Sequence, residues 1–305
     1  MKKLIKSTAL LLFSLCMIIG AIILIPGTKA NAASIGKTLK TGKVYKYDLN
    51  KDGKKEKIKI TKKNNKDSET TFKVYVDGKQ VSSYRNYCWA AFTLVDLDKK
   101  DKYQEIMCVY TGESDCISKM QALRYASKKK VTRINLKSTD DIAVYRADIT
   151  AIPGDGTVKM TADTPFRNNE YVGCFYVDIT LTVIGNKMVP VTCDEYNYTE
   201  GSFSSQNKLS QDTLLYADRT DPSSCVGMAP DLTKIVIKKV SVAADFSYDL
   251  YVECANGMEG WMHIPPYDYN DIDFDGYDEP FDPTDEQAYS HGARSVYLYY
   301  VYEWG

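Results

Sequence analysis

Histidine is almost missing from this chain, which has only His263 and His291 among its 305 residues. Most hydrolases, phosphoryl-relay proteins and zinc sites depend on histidine as a base or a ligand, so the sequence disfavours these classes. The motifs G-x-S-x-G, H-E-x-x-H and G-x-G-x-x-G and the phosphate-binding Walker loop are also missing. A cysteine nucleophile would need one of the two histidines as its base, and neither stands in a recognisable catalytic context. The sequence therefore predicts no catalytic site.

The chain also lacks a large net charge. It has 39 basic and 40 acidic residues, and the first 32 residues carry four lysines and no acid, which leaves a net charge of −5 for the rest. A broad nucleic-acid surface needs an excess of lysine and arginine. We therefore expect no nucleic-acid partner.

The amino-terminal segment has the features of a signal peptide. Three lysines come first, residues 9–26 are almost wholly apolar, and Ala30-Asn31-Ala32 offers small residues for cleavage. We expect cleavage after Ala32 and a secreted chain with no membrane span. The alternative is an uncleaved anchor, because an apolar run of this length just spans a bilayer. No later segment is long and apolar enough to do so.

Seven cysteines follow residue 32, an odd number that cannot all pair within one chain. No C-x-x-C motif occurs, which disfavours a zinc site. One or two disulfides stay open for an exported protein, and Cys174 with Cys193 is the nearest plausible hairpin pair.

Hydrophobic residues alternate with a period of two, as in Lys57-Ile58-Lys59-Ile60, and no amphipathic helix follows the signal peptide. The sequence therefore predicts an all-β fold. The intervals 53–78, 101–127 and 156–185 each run from an acidic or glycine-rich loop, through strands, to a hairpin turn. A repeated unit of three or four strands explains this recurrence. The alternative is that hairpins in any β protein look alike.

The sharpest motif is the acidic loop 48–56. It places oxygen-bearing side chains at relative positions 1, 3, 5 and 9, namely Asp48, Asn50, Asp52 and Glu56, with glycine at position 6. Several oxygen ligands around a tight turn suit calcium. Lysines surround the loop, however, and an ordinary turn between two strands explains the same residues. Both interpretations stay open.

This strand–loop–strand motif resembles the loops of FG-GAP and VCBS-type repeats of integrin-like β-propellers. The resemblance covers residues 43–61, is weaker at 96–101 where the glycine is missing, and shrinks to 154–156 in the third interval. It implies a repeated β-hairpin domain, either part of a propeller or a β-sandwich, with calcium at the first loop. A full propeller needs more blades than about 170 residues supply.

A second acidic loop has the same spacing near the carboxyl terminus. Asp271, Asp273, Asp275 and Glu279 are the candidate metal ligands, and nine acids but no lysine or arginine lie from residue 267 to 286. The local charge favours a dication here. Nearby prolines support the alternative of a solvated acidic linker.

Residues 208–264 contain a second resemblance. Tyr251-Val252, Asn256-Gly257 and Gly260-Trp261 are spaced as in the final hairpin of bacterial SH3-type domains, with Asn256-Gly257 predicted as a two-residue turn. The resemblance implies a small SH3-like barrel. Such domains often bind cell-wall peptides, and many only pack. The candidate ligand-binding side chains are Tyr216, Tyr251, Trp261 and Tyr267, with Trp261 either in the core or in a ligand platform.

The sequence thus predicts four regions: a signal peptide at 1–32, a VCBS/FG-GAP-like domain at 33–200, an SH3-like domain at 208–264, and an acidic loop with a terminal strand at 265–305. We expect a secreted, non-catalytic binding protein at a Gram-positive-type cell envelope. Its expected partner is peptidoglycan or an extracellular polysaccharide or protein, with calcium stiffening its loops. The alternatives are a secreted hydrolase with an SH3-like targeting module, which needs a paired-carboxylate cleft, and a purely structural envelope protein.

Overall fold

A computed structural model describes residues 35–65, 69–86, 89–112, 116–139, 142–163, 165–166, 175–199, 207–209, 211–245, 247–266 and 298–299. These residues form strands and loops without a helix, so the all-β prediction is confirmed. None of them belongs to a helix with the length and hydropathy of a membrane span. The predicted signal peptide, the acidic loop 271–279 and Tyr267 lie outside the described residues.

Twenty-one strands are described. In chain order they are β1 Lys37–Thr38, β2 Val44–Tyr47, β3 Glu56–Asn64, β4 Thr70–Val76, β5 Lys79–Asn86, β6 Trp89–Val95, β7 Glu105–Thr111, β8 Ile117–Ser127, β9 Lys130–Leu136, β10 Arg146–Ala151, β11 Thr157–Asp163, β12 Tyr176–Ile184, β13 Lys187–Pro190, β14 Tyr196–Thr199, β15 Lys208–Leu209, β16 Thr213–Tyr216, β17 Cys225–Ala229, β18 Ile235–Val242, β19 Tyr248–Cys254, β20 Glu259–Ile264 and β21 Leu298–Tyr299.

The first thirteen strands contain three antiparallel meanders of four strands each. The first meander is β2–β5, the second is β6–β9 and the third is β10–β13. In each, a tight turn joins the third strand to the fourth, at Asp77-Gly78, at 128–129 and at 185–186. Both residues of the Asp77-Gly78 turn have positive φ, as its hairpin geometry requires. The recurrence is consistent with the repeated unit of three or four strands expected from the sequence.

Sheet pairing connects the meanders in different ways. The first is a separate four-stranded sheet, whereas the second and third belong to one 15-stranded sheet. Their junction is a short parallel pairing of β9 with β13, and β1 extends the second meander by pairing with β6. The same sheet continues through β14, β18, β19, β20, β16 and β17. That path has two ends and closes into no barrel among the described residues, so the SH3-like barrel stays a prediction.

Two hydrophobic cores hold these layers. The first core lies between the first and second meanders, and the second core joins the second meander to the third and to the carboxy-terminal strands. Strand β7 contributes to both, because Ile106 and Cys108 face the first core and Met107 faces the second. The second meander is therefore buried on both faces.

The described residues include five cysteines. None of Cys108, Cys116, Cys193, Cys225 and Cys254 forms a disulfide. Cys174 of the suggested pair Cys174 with Cys193 lies outside the described residues. Cys108 and Cys254 are buried and pack as small hydrophobes, and burial raises the pKa of the Cys108 thiol to about 12.

Candidate functional site

The first acidic loop, 48–56, is closed by its own hydrogen bonds. The two carboxylate oxygens of Asp48 accept the backbone N–H groups of Asp52 at 3.1 Å and of Gly53 at 2.8 Å. Asn50 Oδ1 accepts the same Asp52 N–H at 3.1 Å, and Asp52 Oδ1 accepts Lys54 N–H at 2.8 Å. Three of the side chains predicted to hold calcium therefore also shape the turn through these hydrogen bonds.

Glu56, the fourth predicted ligand, is buried and is hydrogen-bonded within the loop. It is 5% exposed, and its Oε2 accepts the backbone N–H of Leu49 at 2.8 Å. Burial raises the pKa of this carboxyl, although the Leu49 hydrogen bond opposes the rise. Within the described part of the chain, no three His, Cys, Asp or Glu side chains are grouped closely enough to hold a metal ion. Calcium stays a prediction for this loop.

The loop between β6 and β7 repeats this anchor. Glu105 is fully buried, and its Oε2 accepts the backbone N–H of Leu97 at 3.1 Å. Arg124 Nε donates to Glu105 Oε1 at 2.6 Å, and the same guanidinium lies 3.0 Å from Asp101. Burial still raises the pKa of Glu105 in spite of this cation. Sequence reasoning missed Glu105, although both loops have a Leu in second place and a Glu that opens the following strand.

Backbone hydrogen bonds join successive loops at one edge of the meanders. The carbonyl of Leu49 in the first loop accepts Gln104 N–H from the second loop at 2.9 Å. The carbonyl of Leu97 in the second loop accepts Gly156 N–H from the third, 154–156, at 2.7 Å. Each anchored leucine therefore presents its carbonyl to the next unit. These two bonds link the loops of the three meanders in series.

Three of the four predicted ligand-binding aromatics meet on the carboxy-terminal strands. Tyr216 on β16 lies directly opposite Trp261 on β20, and Trp261 lies directly opposite Tyr251 on β19. Residues opposite each other across strands share a face. The alternate residues Leu250 and Met262 belong to the second core, so the three rings lie on the outer side. We call Tyr216, Trp261 and Tyr251 the aromatic face.

The hairpin that creates this face differs from the predicted one. Cys254 N–H bonds to Met258 O at 2.8 Å, which leaves a three-residue loop, 255–257, with Gly257 at a φ of 84°. The two-residue Asn256-Gly257 turn expected from the sequence is therefore wrong. The extra loop residue matters, because a shift of one residue would place Tyr251 and Trp261 on opposite faces.

Trp261 is the centre of the aromatic face and is 7% exposed. The Tyr251 ring meets it edge to face with centroids 5.3 Å apart, and the Arg219 guanidinium carbon lies 5.8 Å from the indole centroid. It belongs to neither hydrophobic core. Trp261 is therefore buried, as the core alternative expects, and it supports the half-buried Tyr216 and Tyr251.

The loop between β16 and β17 brings Arg219 over the tryptophan. Asp218 Oδ1 accepts both the N–H and the hydroxyl of Thr220 at 2.8 Å, and these bonds lower the pKa of Asp218. Asp249 lies 3.9 Å from Arg219 through one oxygen and 2.9 Å from the exposed His263 through the other. No motif in the sequence indicates Arg219 or Asp249 at this site. The position of His263, two residues after Trp261, does indicate this face.

Comparisons with protein-family models, with curated proteins and with solved structures found no match to this chain. The resemblances to FG-GAP and VCBS-type repeats and to SH3-type domains stay predictions that rest on their motif residues.

Proposed function

We propose that this protein is a secreted, non-catalytic binding protein that attaches to the cell envelope or to an extracellular polymer through its aromatic face. The observation that carries the proposal is the row of three aromatic side chains across three adjacent strands, in which the half-buried Tyr216 and Tyr251 flank the buried Trp261. Rings fixed on strands lose little conformational entropy when they bind a ligand, and tyrosine offers both an apolar ring and a hydroxyl.

The surroundings of the aromatic face favour a ligand with both apolar and polar groups. Leu214 and Met228 lie directly opposite each other on β16 and β17 and are 47% and 55% exposed, so they extend the surface with apolar area. The Tyr251 hydroxyl donates to Glu259 at 3.0 Å, and Arg219 adds a positive charge. Sugar rings and peptides combine such groups, which matches the expected envelope partners.

The hydrolase alternative gains no support from the carboxyl groups with a raised pKa. Among the described carboxylates these are Glu56 and Glu105, and both are buried acceptors of backbone hydrogen bonds. A catalytic carboxyl must reach its substrate. Both groups are used to anchor loops.

Co-sedimentation of residues 33–305 with purified Gram-positive cell walls tests the proposal. The native chain should pellet, and the double variant Tyr216→Ala, Tyr251→Ala should lose about tenfold or more in affinity, as expected for interface anchors. Tyr145→Ala is the control, because Tyr145 is 63% exposed and its carbonyl bonds to Ile117 on β8, which is not a strand of the aromatic face. Failure of the native chain to pellet, or equal binding by the double variant, would contradict wall attachment through these residues.

Calcium is the second part of the proposal and has a separate test. The melting temperature of residues 33–305 is measured in calcium and in EDTA, for the native chain and for two double variants. Asp48→Asn with Asp52→Asn removes charge from the first loop, and Asp273→Ala with Asp275→Ala does so in the second. The pair that abolishes a calcium-dependent rise identifies the site. An identical melting temperature in calcium and EDTA would remove calcium from the proposal.

A further inference from the structure

Charge is distributed very unevenly along this chain. Residues 35–86 contain 15 lysines and arginines against six acids, a net charge of +9. Residues 87–305 contain 20 against 34, a net charge of −14. The small total therefore hides a basic first meander and an acidic remainder. The expectation of no broad basic surface came from the total alone.

Strand pairing gathers part of this charge on one face of the first meander. Lys46 on β2 lies directly opposite Lys57 on β3, and Lys73 on β4 lies opposite Thr61, two positions along β3 from Lys59. The alternate residues of these strands face the first core. The resulting outer surface, the lysine face, consists of Lys46, Lys57, Lys59, Lys63 and Lys73.

These lysines have no anionic partner that would explain them. In the part of the chain that the structure describes, none of the five forms an ion pair, whereas Arg85 on the adjacent β5 does pair with Glu69. Like charges directly opposite each other, as at Lys46 and Lys57, destabilise a sheet. A surface selected only for solubility would mix both signs. Repulsion within the lysine face therefore lowers the stability of the fold. An external anion bound at this face would relieve that repulsion.

We propose that the lysine face binds a linear extracellular polymer that carries phosphate groups. Alternate residues of one strand are about 7 Å apart, so lysines such as Lys57 and Lys59 form a row of charges that a chain of anions can follow. Lysine acts as a point charge without the planar fork of arginine, which suits a flexible polyanion. Val44, which is 57% exposed, is the one large apolar side chain among the described exposed residues of this face. Little apolar area is therefore available to insert into a lipid surface.

This site is separate from the aromatic face and does not depend on it. The lysine face lies on the four-stranded sheet β2–β5, whereas the aromatic face belongs to the 15-stranded sheet. The variant Tyr216→Ala, Tyr251→Ala should therefore keep its affinity for the polyanion. If wall binding does not depend on the tyrosines, the proposal for the lysine face is unaffected. If polyphosphate does not bind the lysine face, the proposal for the aromatic face is unaffected.

The test is titration of residues 33–305 with inorganic polyphosphate over a range of salt concentrations. The quadruple variant Lys46→Gln, Lys57→Gln, Lys59→Gln, Lys73→Gln should weaken binding uniformly. It should also reduce the slope of log association constant against log salt by about 3, because each lysine contact to a single strand contributes about 0.7. The matched control removes the same charge from exposed lysines of the other meanders, at Lys129, Lys130, Lys159 and Lys187. It should keep the native slope.

Four results would overturn the proposal. They are no binding of polyphosphate by the native chain, an equal loss in the control, stronger binding to vesicles of anionic lipid, and stronger binding to single-stranded DNA. The melting temperature shows whether the quadruple variant is folded. If it is not, the single variants Lys57→Gln and Lys59→Gln must each lower the slope by about 0.7. An unchanged slope in both would refute the site.

Discussion

The first and second meanders share a four-strand path and a glutamate-anchored loop, but their surroundings differ. In β3 the buried Ile58 alternates with the exposed Lys59, because only one face of the first meander packs against a core. In β7 the neighbours Ile106 and Met107 are both buried, because the second meander lies between two cores. The strand face that points away from the first core therefore carries lysines in the first meander, which has one core, and apolar side chains in the second meander, which has two.

The two anchor loops extend this comparison to electrostatics. Glu56 and Glu105 each accept the backbone N–H of the leucine in second place of the preceding loop. Only Glu105 also receives a guanidinium, from Arg124. Both glutamates thus anchor a loop leucine. Glu56 does so in the first meander without an ion pair among the described residues, whereas Glu105 does so in the second meander while paired with Arg124.

The largest expected effect concerns the two-sided burial of β7. Ile106→Ala and Met107→Ala should each lower the free energy of unfolding by about 2–5 kcal/mol, since each leaves a cavity in a different core. In β3, Ile58→Ala should behave in the same way, whereas Lys59→Ala should stay within about 0.5 kcal/mol of the native chain. Urea unfolding measures all four. A neutral Met107→Ala would show that the second meander is not enclosed.

The next largest effect distinguishes the two anchor glutamates. Glu105→Ala should cost about 3 kcal/mol, because it leaves Leu97 N–H without its acceptor and separates a buried ion pair. Glu56→Ala should cost about 1 kcal/mol, since it loses one hydrogen bond to Leu49. Urea unfolding again provides the comparison. Equal losses would mean that Arg124 contributes nothing to the second anchor.

A smaller effect should follow from pH, because burial raises the pKa of both glutamates above the usual 4.5. A raised folded-state pKa means that the carboxyl keeps its proton to a higher pH in the folded protein than in the unfolded chain. The stability that these carboxyls contribute is therefore fully present below pH 4.5 and is lost as the pH rises through the folded-state values. Glu56→Gln should gain stability relative to the native chain between pH 4 and 7. Thermal unfolding at several pH values measures the difference.

Glu105→Gln is the control for that prediction. It removes the same titration, but Arg124 then loses its buried carboxylate partner and keeps only Asp101, so this variant should lie below the native chain in stability at neutral pH. A Glu56→Gln variant whose difference from the native chain does not change with pH would show that the Glu56 carboxyl titrates normally.

Local signals in the sequence were enough for the strand pattern and for some turns. Period-two alternation predicts β3, and the hairpin turn expected at the end of the interval 53–78 lies at Asp77-Gly78 in the structure. Register was beyond local reasoning. A two-residue turn at Asn256-Gly257 is a sound prediction from composition, but the three-residue loop in the structure determines that Tyr251 and Trp261 share a face.

Contacts between segments far apart in sequence could not be inferred at all. The pairing of Tyr216 with Trp261 joins strands separated by more than 40 residues, and Arg219 reaches the indole through a loop without a recognisable motif. The lysine face is an intermediate case. Counting charge by segment would have shown a basic first meander, but only strand pairing shows that Lys46 and Lys57 are opposite each other.

The smallest expected effect tests whether the outer lysines of the first meander oppose its folding. Lys57→Glu should raise the free energy of unfolding by about 0.2–1 kcal/mol at low salt, because it converts the like-charged pair with Lys46 into an attractive one. The gain should shrink at high salt, where screening weakens exposed charges. Lys159→Glu, on the third meander and next to the acidic Asp155, should give no such gain. A loss of stability in Lys57→Glu at low salt would mean that this lysine supports the fold, and the case for an external anion at the lysine face would weaken accordingly.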